Sequence, residues 1–226
     1  TGTLNYTAGI LELTSDDLEV DFGGLLTRTP TIGAGQDVRV TNNVNVSSVG
    51  LFTIDGGSVT AGTLFNSGLI QMTGLSSLID GGALDNSGTL SGTGVVNAAL
   101  SNNAGGEVRA DSGDMMIFNG TGNTNSGLID NLHWTVQFNG DLILGGLTNA
   151  GNVAISGGTS NVFGDITNAA SGNISVTGNS AGSFFGTMVN SGDIFVSADS
   201  RATFLNDVSG AGTFSGTGTI EFANGF

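Results

Sequence analysis

Residues 147–196 read LTNAGNVAISGGTSNVFGD, then ITNAASGNISVTGNSAGSFFGT, then MVNSGDIFV, one phrase spoken three times. Each opens on an aliphatic residue (Leu147, Ile166, Met188) and carries Asn two positions later (Asn149, Asn168, Asn190). Each then turns through Gly (Gly151, Gly172, Gly192) into a short alternating run: Val153 and Ile155, Ile174 and Val176, Ile194 and Val196. After a Gly/Ser/Asn break a second apolar pulse follows at Phe163, at Phe184 and Phe185, and at Phe204. Period-two alternation marks a strand with one buried face. Strand-length pulses and Gly/Asn turns recurring about every 20 residues mark a solenoid.

The turn marker continues toward the N-terminus as Asn66-Ser67-Gly68, Asn86-Ser87-Gly88, Asn103-Ala104-Gly105 and Asn125-Ser126-Gly127. We read Asn66, Gly68, Asn86, Gly88, Asn125, Gly127, Asn149, Gly151, Asn190 and Gly192 as the structural corners of successive coils. Gly and Asn accept the positive φ that a corner is expected to need. Asn at the same corner of each coil can stack into a ladder of side-chain amides. Strands of this length cannot stand alone, but each gains a hydrogen-bonded partner when stacked on the coil before it. No 3.6-residue apolar stripe persists, so almost no helix is expected. The reading is an all-β parallel β-helix (β-solenoid) with roughly 20 residues per coil and about ten coils. It covers residues 31–226, with residues 1–30 as a strand-rich cap or docking segment.

Composition narrows the functional classes. The 226 residues carry a net charge of −15, and the four basic residues are all Arg (Arg28, Arg39, Arg109, Arg201). So few scattered cations exclude a nucleic-acid footprint and oppose binding to an anionic membrane surface. No apolar run is long enough to insert as a membrane-spanning helix. With no Cys, disulfides and thiolate metal sites are excluded. The chain has 40 Gly but one Pro and no collagen period, so Gly serves turns. An acidic, Lys-free chain rich in Gly, Asn, Thr and Ser fits an exported protein.

Candidate chemistry is sparse. Asp16 and Asp17 are adjacent, but neighbours on a strand face opposite ways, which suits a solvated turn better than a catalytic pair. His133, beside Trp134, has no partner at metal-ligand spacing. Arg109 with Asp111 and Asp114 is the nearest approach to a charged cluster. The remaining Asp residues fall mostly at turns, where Asp is expected without function. Thr27, Thr29 and Thr31, and again Thr217 and Thr219, form short threonine rows of the kind an ice-binding face would extend. Turn oxygens could hold Ca²⁺ opportunistically, although neither an EF-hand nor a Gly-Gly-x-Gly-x-Asp nonapeptide is present. No cofactor is called for. Four glycosylation sequons, at Asn5, Asn45, Asn119 and Asn173, are no more than so polar a chain contains by chance.

From about Leu64 to Phe226 the pattern Leu-x-Asn-Ser-Gly-x-Ile resembles the repeats of filamentous haemagglutinins, autotransporter passengers and related secreted surface proteins. The resemblance implies a right-handed parallel β-helix acting as an adhesin, fibre or surface coat, outside the cell or on its surface. It carries no catalytic or receptor-binding residue onto this chain. Parallel β-helices also house polysaccharide lyases and hydrolases, so an enzyme of that class is the alternative, and a monomeric adhesin stalk is another. The expectation is a non-enzymatic structural protein, with a surface polysaccharide or host receptor as an outside partner. Its ends are expected to be open edges that pair head to tail between copies, through Leu4 and Tyr6 at one end and Phe214, Ile220 and Phe222 at the other.

Overall fold

The computed structural model describes residues 6–110, 114–131, 135–138 and 147–224. Among the described residues there is no helix, and every pairing between named strands is parallel. The chain winds as a β-solenoid with three sheet faces.

The first face runs through Leu18–Val20, the ends of Gln36–Val46, Ser58–Asn66 and Leu69–Asn86, then Ala99–Asn102, Asn123–Asn125, Leu147–Asn149, Ile166–Asn168, Met188–Asn190 and Val208–Ser209. That is a stack ten strands deep, and at about 4.8 Å per strand it spans roughly 45 Å. The second face begins at Thr31–Gly33 and Leu51–Asp55 and ends at Asp193–Val196 and Thr213–Gly216. The third begins at Gly9–Leu13 and ends at Arg201–Phe204 and Thr219–Phe222. Residues 9–20 are therefore built into the first turn, stacked directly on Gln36–Val46.

Alternation decides which side chains enter. In Asn173–Phe184, Ile174, Val176 and Phe184 are buried while Asn173, Ser175 and Thr177 are only half-buried. One apolar column fills the interior from Leu18 and Val20 to Val196 and Phe204. Burying each such side chain contributes about 1.5–3 kcal/mol. Near the C-terminal end this column becomes a stack of rings. Phe184 lies on Phe204 at 4.9 Å between centroids, and Phe204 on Phe222 at 5.4 Å. Phe185, next in sequence, points outward and is exposed.

The corner between the first and second faces has its own rhythm. Residues 47–50, 103–106 and 169–172 are four-residue corners, each closed by the same backbone bond: Gly50 to Ser47 at 2.8 Å, Gly106 to Asn103 at 2.9 Å, Gly172 to Ala169 at 2.8 Å. Between them lie two-residue corners at 67–68, 87–88, 126–127, 150–151, 191–192 and 211–212. The order is long, short, short, repeated three times, so a protruding corner recurs every third turn.

Candidate functional site: a buried amide ladder and two unequal ends

Asn66, Asn86, Asn102, Asn125, Asn149, Asn168 and Asn190 end successive strands of the first face with their side chains turned inward, each at most 1% exposed. Each Nδ2 donates to the Oδ1 of the next Asn: 2.7 Å for Asn66 to Asn86, Asn86 to Asn102 and Asn102 to Asn125. The distance is 2.8 Å for Asn125 to Asn149, Asn149 to Asn168 and Asn168 to Asn190. The second N–H reaches a backbone carbonyl of a later turn, such as Thr89 at 3.0 Å from Asn66 or Glu107 at 3.0 Å from Asn86. Some Oδ1 atoms also accept from a corner amide, as Asn66 does from Gly68 at 3.1 Å. Buried amides are tolerated only when so satisfied.

The sequence reading placed Asn103 in this series. The structure places Asn102 there, and Asn103 lies outside it, donating to Asp85 and, at 3.1 Å, to Ser87. The reading also gave the corner glycines a positive φ, and that is corrected. Gly68, Gly88, Gly127, Gly151 and Gly192 all lie outside the left-handed region. They are Gly because the backbone of the coil before presses on them. A Cβ on Gly151 would lie 2.2 Å from the Gly127 carbonyl oxygen, and one on Gly192 would lie 2.1 Å from that of Gly172.

The remaining candidates do not converge. Asp17 accepts from the Asn43 amide at 3.0 Å, while Asp16 is exposed. Arg109 stands on the second face in register with Ser91 and Asp130. Asp114 accepts from Thr93 at 3.0 Å and lines a surface groove with Gln71, Thr73 and Ser91, the one carboxylate among that groove's described lining. Asp111, His133 and Trp134 lie outside the described residues. Among the described residues no three His, Cys, Asp or Glu side chains come together. Thr27 sits in a loop with φ of 66° and does not start a threonine face. An aligned threonine column exists elsewhere: Thr124, Thr148 and Thr167 stack in register on the outer side of the first face, all exposed.

The two ends differ. Toward the C-terminal end Phe214, Ile220 and Phe222 are half-buried against the core, the Phe222 ring stacked on Phe204 at 5.4 Å and edge-on to Phe214 at 5.4 Å. At the other end, Leu18 and Val20 are 0% exposed and Ile32 1%, although they belong to the first turn. Leu26, from the long corner 21–30, joins the same apolar cluster and is 7% exposed. Tyr6 is half-buried against the core. Its hydroxyl accepts from the Asp37 amide at 2.7 Å, and its carbonyl accepts from Gln36 Nε2 at 2.6 Å. Leu4 lies outside the described residues.

Comparisons with protein-family models, with curated proteins and with solved structures returned no match.

Proposed function

We propose that this chain is a structural, adhesive solenoid of the cell surface or extracellular matrix, without catalysis of its own, of the kind found in filamentous haemagglutinins and autotransporter passengers. The observation that carries this reading is the continuity of the interior. Among the described residues, seven amides from Asn66 to Asn190 and one apolar cluster run through the stacked turns, which suits a stiff rod. A hydrolytic site on a sugar polymer uses two carboxylates facing one bond. The groove at Thr73 and Thr93 offers Asp114, which is already engaged by Thr93. The exposed Thr, Ser and Asn of the faces suit contact with a polysaccharide or receptor through many weak hydrogen bonds. In this reading copies pair end to end, the strands Thr213–Gly216 and Thr219–Phe222 of one stacking on the first-turn strands of the next, head to tail.

Electron microscopy of the chain tests the reading. Straight rods about 50 Å long, or end-to-end multiples of that length, are expected from the strand spacing; globular particles would overturn it. A variant with His133, Arg109, Asp16 and Asp17 all changed to Ala should keep the parent's adhesion. A folded variant that lost it would point back to an enzyme.

A further inference from the structure

From residue 47 onward the corner between the first and second faces is either a ridge or part of a notch. The four-residue corners 47–50, 103–106 and 169–172 share one pattern: the first residue is half-buried, the second and third are exposed, and the fourth is buried. Their exposed tips are Ser48-Val49, Ala104-Gly105 and Ala170-Ser171. Two-residue corners lie in pairs between the ridges. The ridges therefore recur every three turns, about 14 Å apart, and each notch is two turns wide. Beside the ridge 103–106 the notch is a groove of about 450 Å³ lined by Ala104, Ser126, Gly127, Leu128 and Asn152, with Glu107 the one carboxylate among its described lining. Charge is sorted among the three edges. The chain carries −15 overall, yet no corner from 47–50 to 211–212 on this edge holds an Asp, Glu or Arg. The corner between the second and third faces carries Asp55, Asp114 and Asp199, and the corner between the third and first carries Asp16, Asp17, Asp165 and Asp207. The carboxylates within two residues of the uncharged edge are held by neighbours: Asp85 accepts from Asn103, Glu107 from Thr89 at 3.4 Å, and Asp193 from Thr213.

We propose that this uncharged edge is a side-by-side docking surface for a second copy of the chain, run antiparallel, with the ridges of each seated in the notches of the other. Two strongly acidic rods repel least where neither presents a charge. The occupant is a second copy because an identical rod shares the ridge spacing by construction. A two-fold axis beside Ser126 sets every ridge opposite a notch. Ridge 103–106 then falls between 126–127 and 150–151, ridge 47–50 between 191–192 and 211–212, and ridge 169–172 between 67–68 and 87–88. A parallel pair offset by one and a half turns also meshes, but it places the two amide ladders side by side with their dipoles in the same sense, which repels. The edge is about 40 Å long and about 10 Å wide, so with its relief it buries roughly 400–600 Å² per copy, against about 800 Å² in a standard stable interface. Pairing of single chains is therefore weak and reversible, and it strengthens where several such stretches are linked. This inference does not depend on the end-to-end reading of the proposed function.

Because the chain has no Cys, single thiols report the geometry. Ser126 and Ser191 are both exposed on this edge. In the antiparallel pair Ser126→Cys lies next to its own symmetry mate, whereas Ser191→Cys lies about 30 Å from its own. A short bis-maleimide should couple the first variant into dimers and leave the second single. Sedimentation velocity of the parent at rising concentration should show a reversible dimer that is thicker, not longer, than one rod. Ala104→Asp combined with Ala170→Asp, both on exposed tips, carries new carboxylates into the notches, one of them toward Glu107 of the second copy. That variant should weaken the dimer at least about tenfold, with circular dichroism and melting temperature those of the parent. Failure of Ser126→Cys to couple, equal coupling of both thiols, or a dimer indifferent to the two Asp residues would each overturn the proposal. Elongated dimers that survive the two Asp residues would overturn it as well and favour the end-to-end reading instead.

Discussion

Changing Asn102 or Asn103 to Ala, one residue apart, separates the ladder from its surroundings. Asn102→Ala removes the bonds to Asn86 and Asn125, both 2.7 Å, and the bond to the Leu128 carbonyl at 3.0 Å. Asn86 keeps its Glu107 carbonyl and Asn125 keeps its Gly127 amide, so neither neighbour is fully orphaned. Each of the two lost ladder bonds costs about 1–2 kcal/mol, which puts the substitution at about 2–4 kcal/mol. For a chain of this size that lowers the melting temperature by roughly 5–15 °C. Asn103→Ala removes only contacts on the half-exposed corner and should cost at most about 0.5 kcal/mol. Thermal melts of the two variants beside the parent decide the matter. Equal melting temperatures, or a larger loss for Asn103→Ala, would refute the ladder as a source of stability.

Gly151→Ala, set against the Gly127 carbonyl, should cost about 3 kcal/mol or more, because neither backbone can retreat. Gly105→Ala, with a φ of 90° and open space around it, should cost only about 1 kcal/mol; urea midpoints compare the two. Ile155→Asp puts an unpaired charge into a fully buried position and should abolish cooperative unfolding or cost more than about 4 kcal/mol, read by circular dichroism.

The solenoid was legible because local chemistry and stacking agree: alternation says strand, and recurrence says coil. The ladder was legible where the corner is short. In Leu64-Phe65-Asn66-Ser67-Gly68 the glycine follows two residues after the Asn, and the marker is plain. At Asn102 and Asn168 the corner has four residues, so Gly106 and Gly172 come four positions later and the marker is broken. The aliphatic residue two positions earlier survives as Leu100 and Ile166, and that signal would have found Asn102. The glycines were recognised for the wrong reason, since contact between consecutive coils leaves no trace in a single corner's sequence. The threonine column was hidden likewise: Thr124, Thr148 and Thr167 are remote along the chain and meet only across strands. Leu26 reads as an ordinary loop leucine, and nothing local shows that it folds inward over the first turn.

The amide ladder has a direction. Each Asn passes its N–H toward the C-terminal end and receives from the N-terminal side. The series stops at Gly210, which has no amide to offer, and Asn190 turns its N–H to the Thr213 carbonyl at 3.2 Å. Before Asn66 the matching position is Val46, which is equally mute. Reversing a single amide would set oxygen against oxygen on one side and N–H against N–H on the other. A defect therefore cannot be confined to one rung; it must travel to an end or not form. Seven side chains behave as one switch with a single setting, and their aligned dipoles reinforce one another along the axis. The molecule consequently carries an internal polarity along its axis.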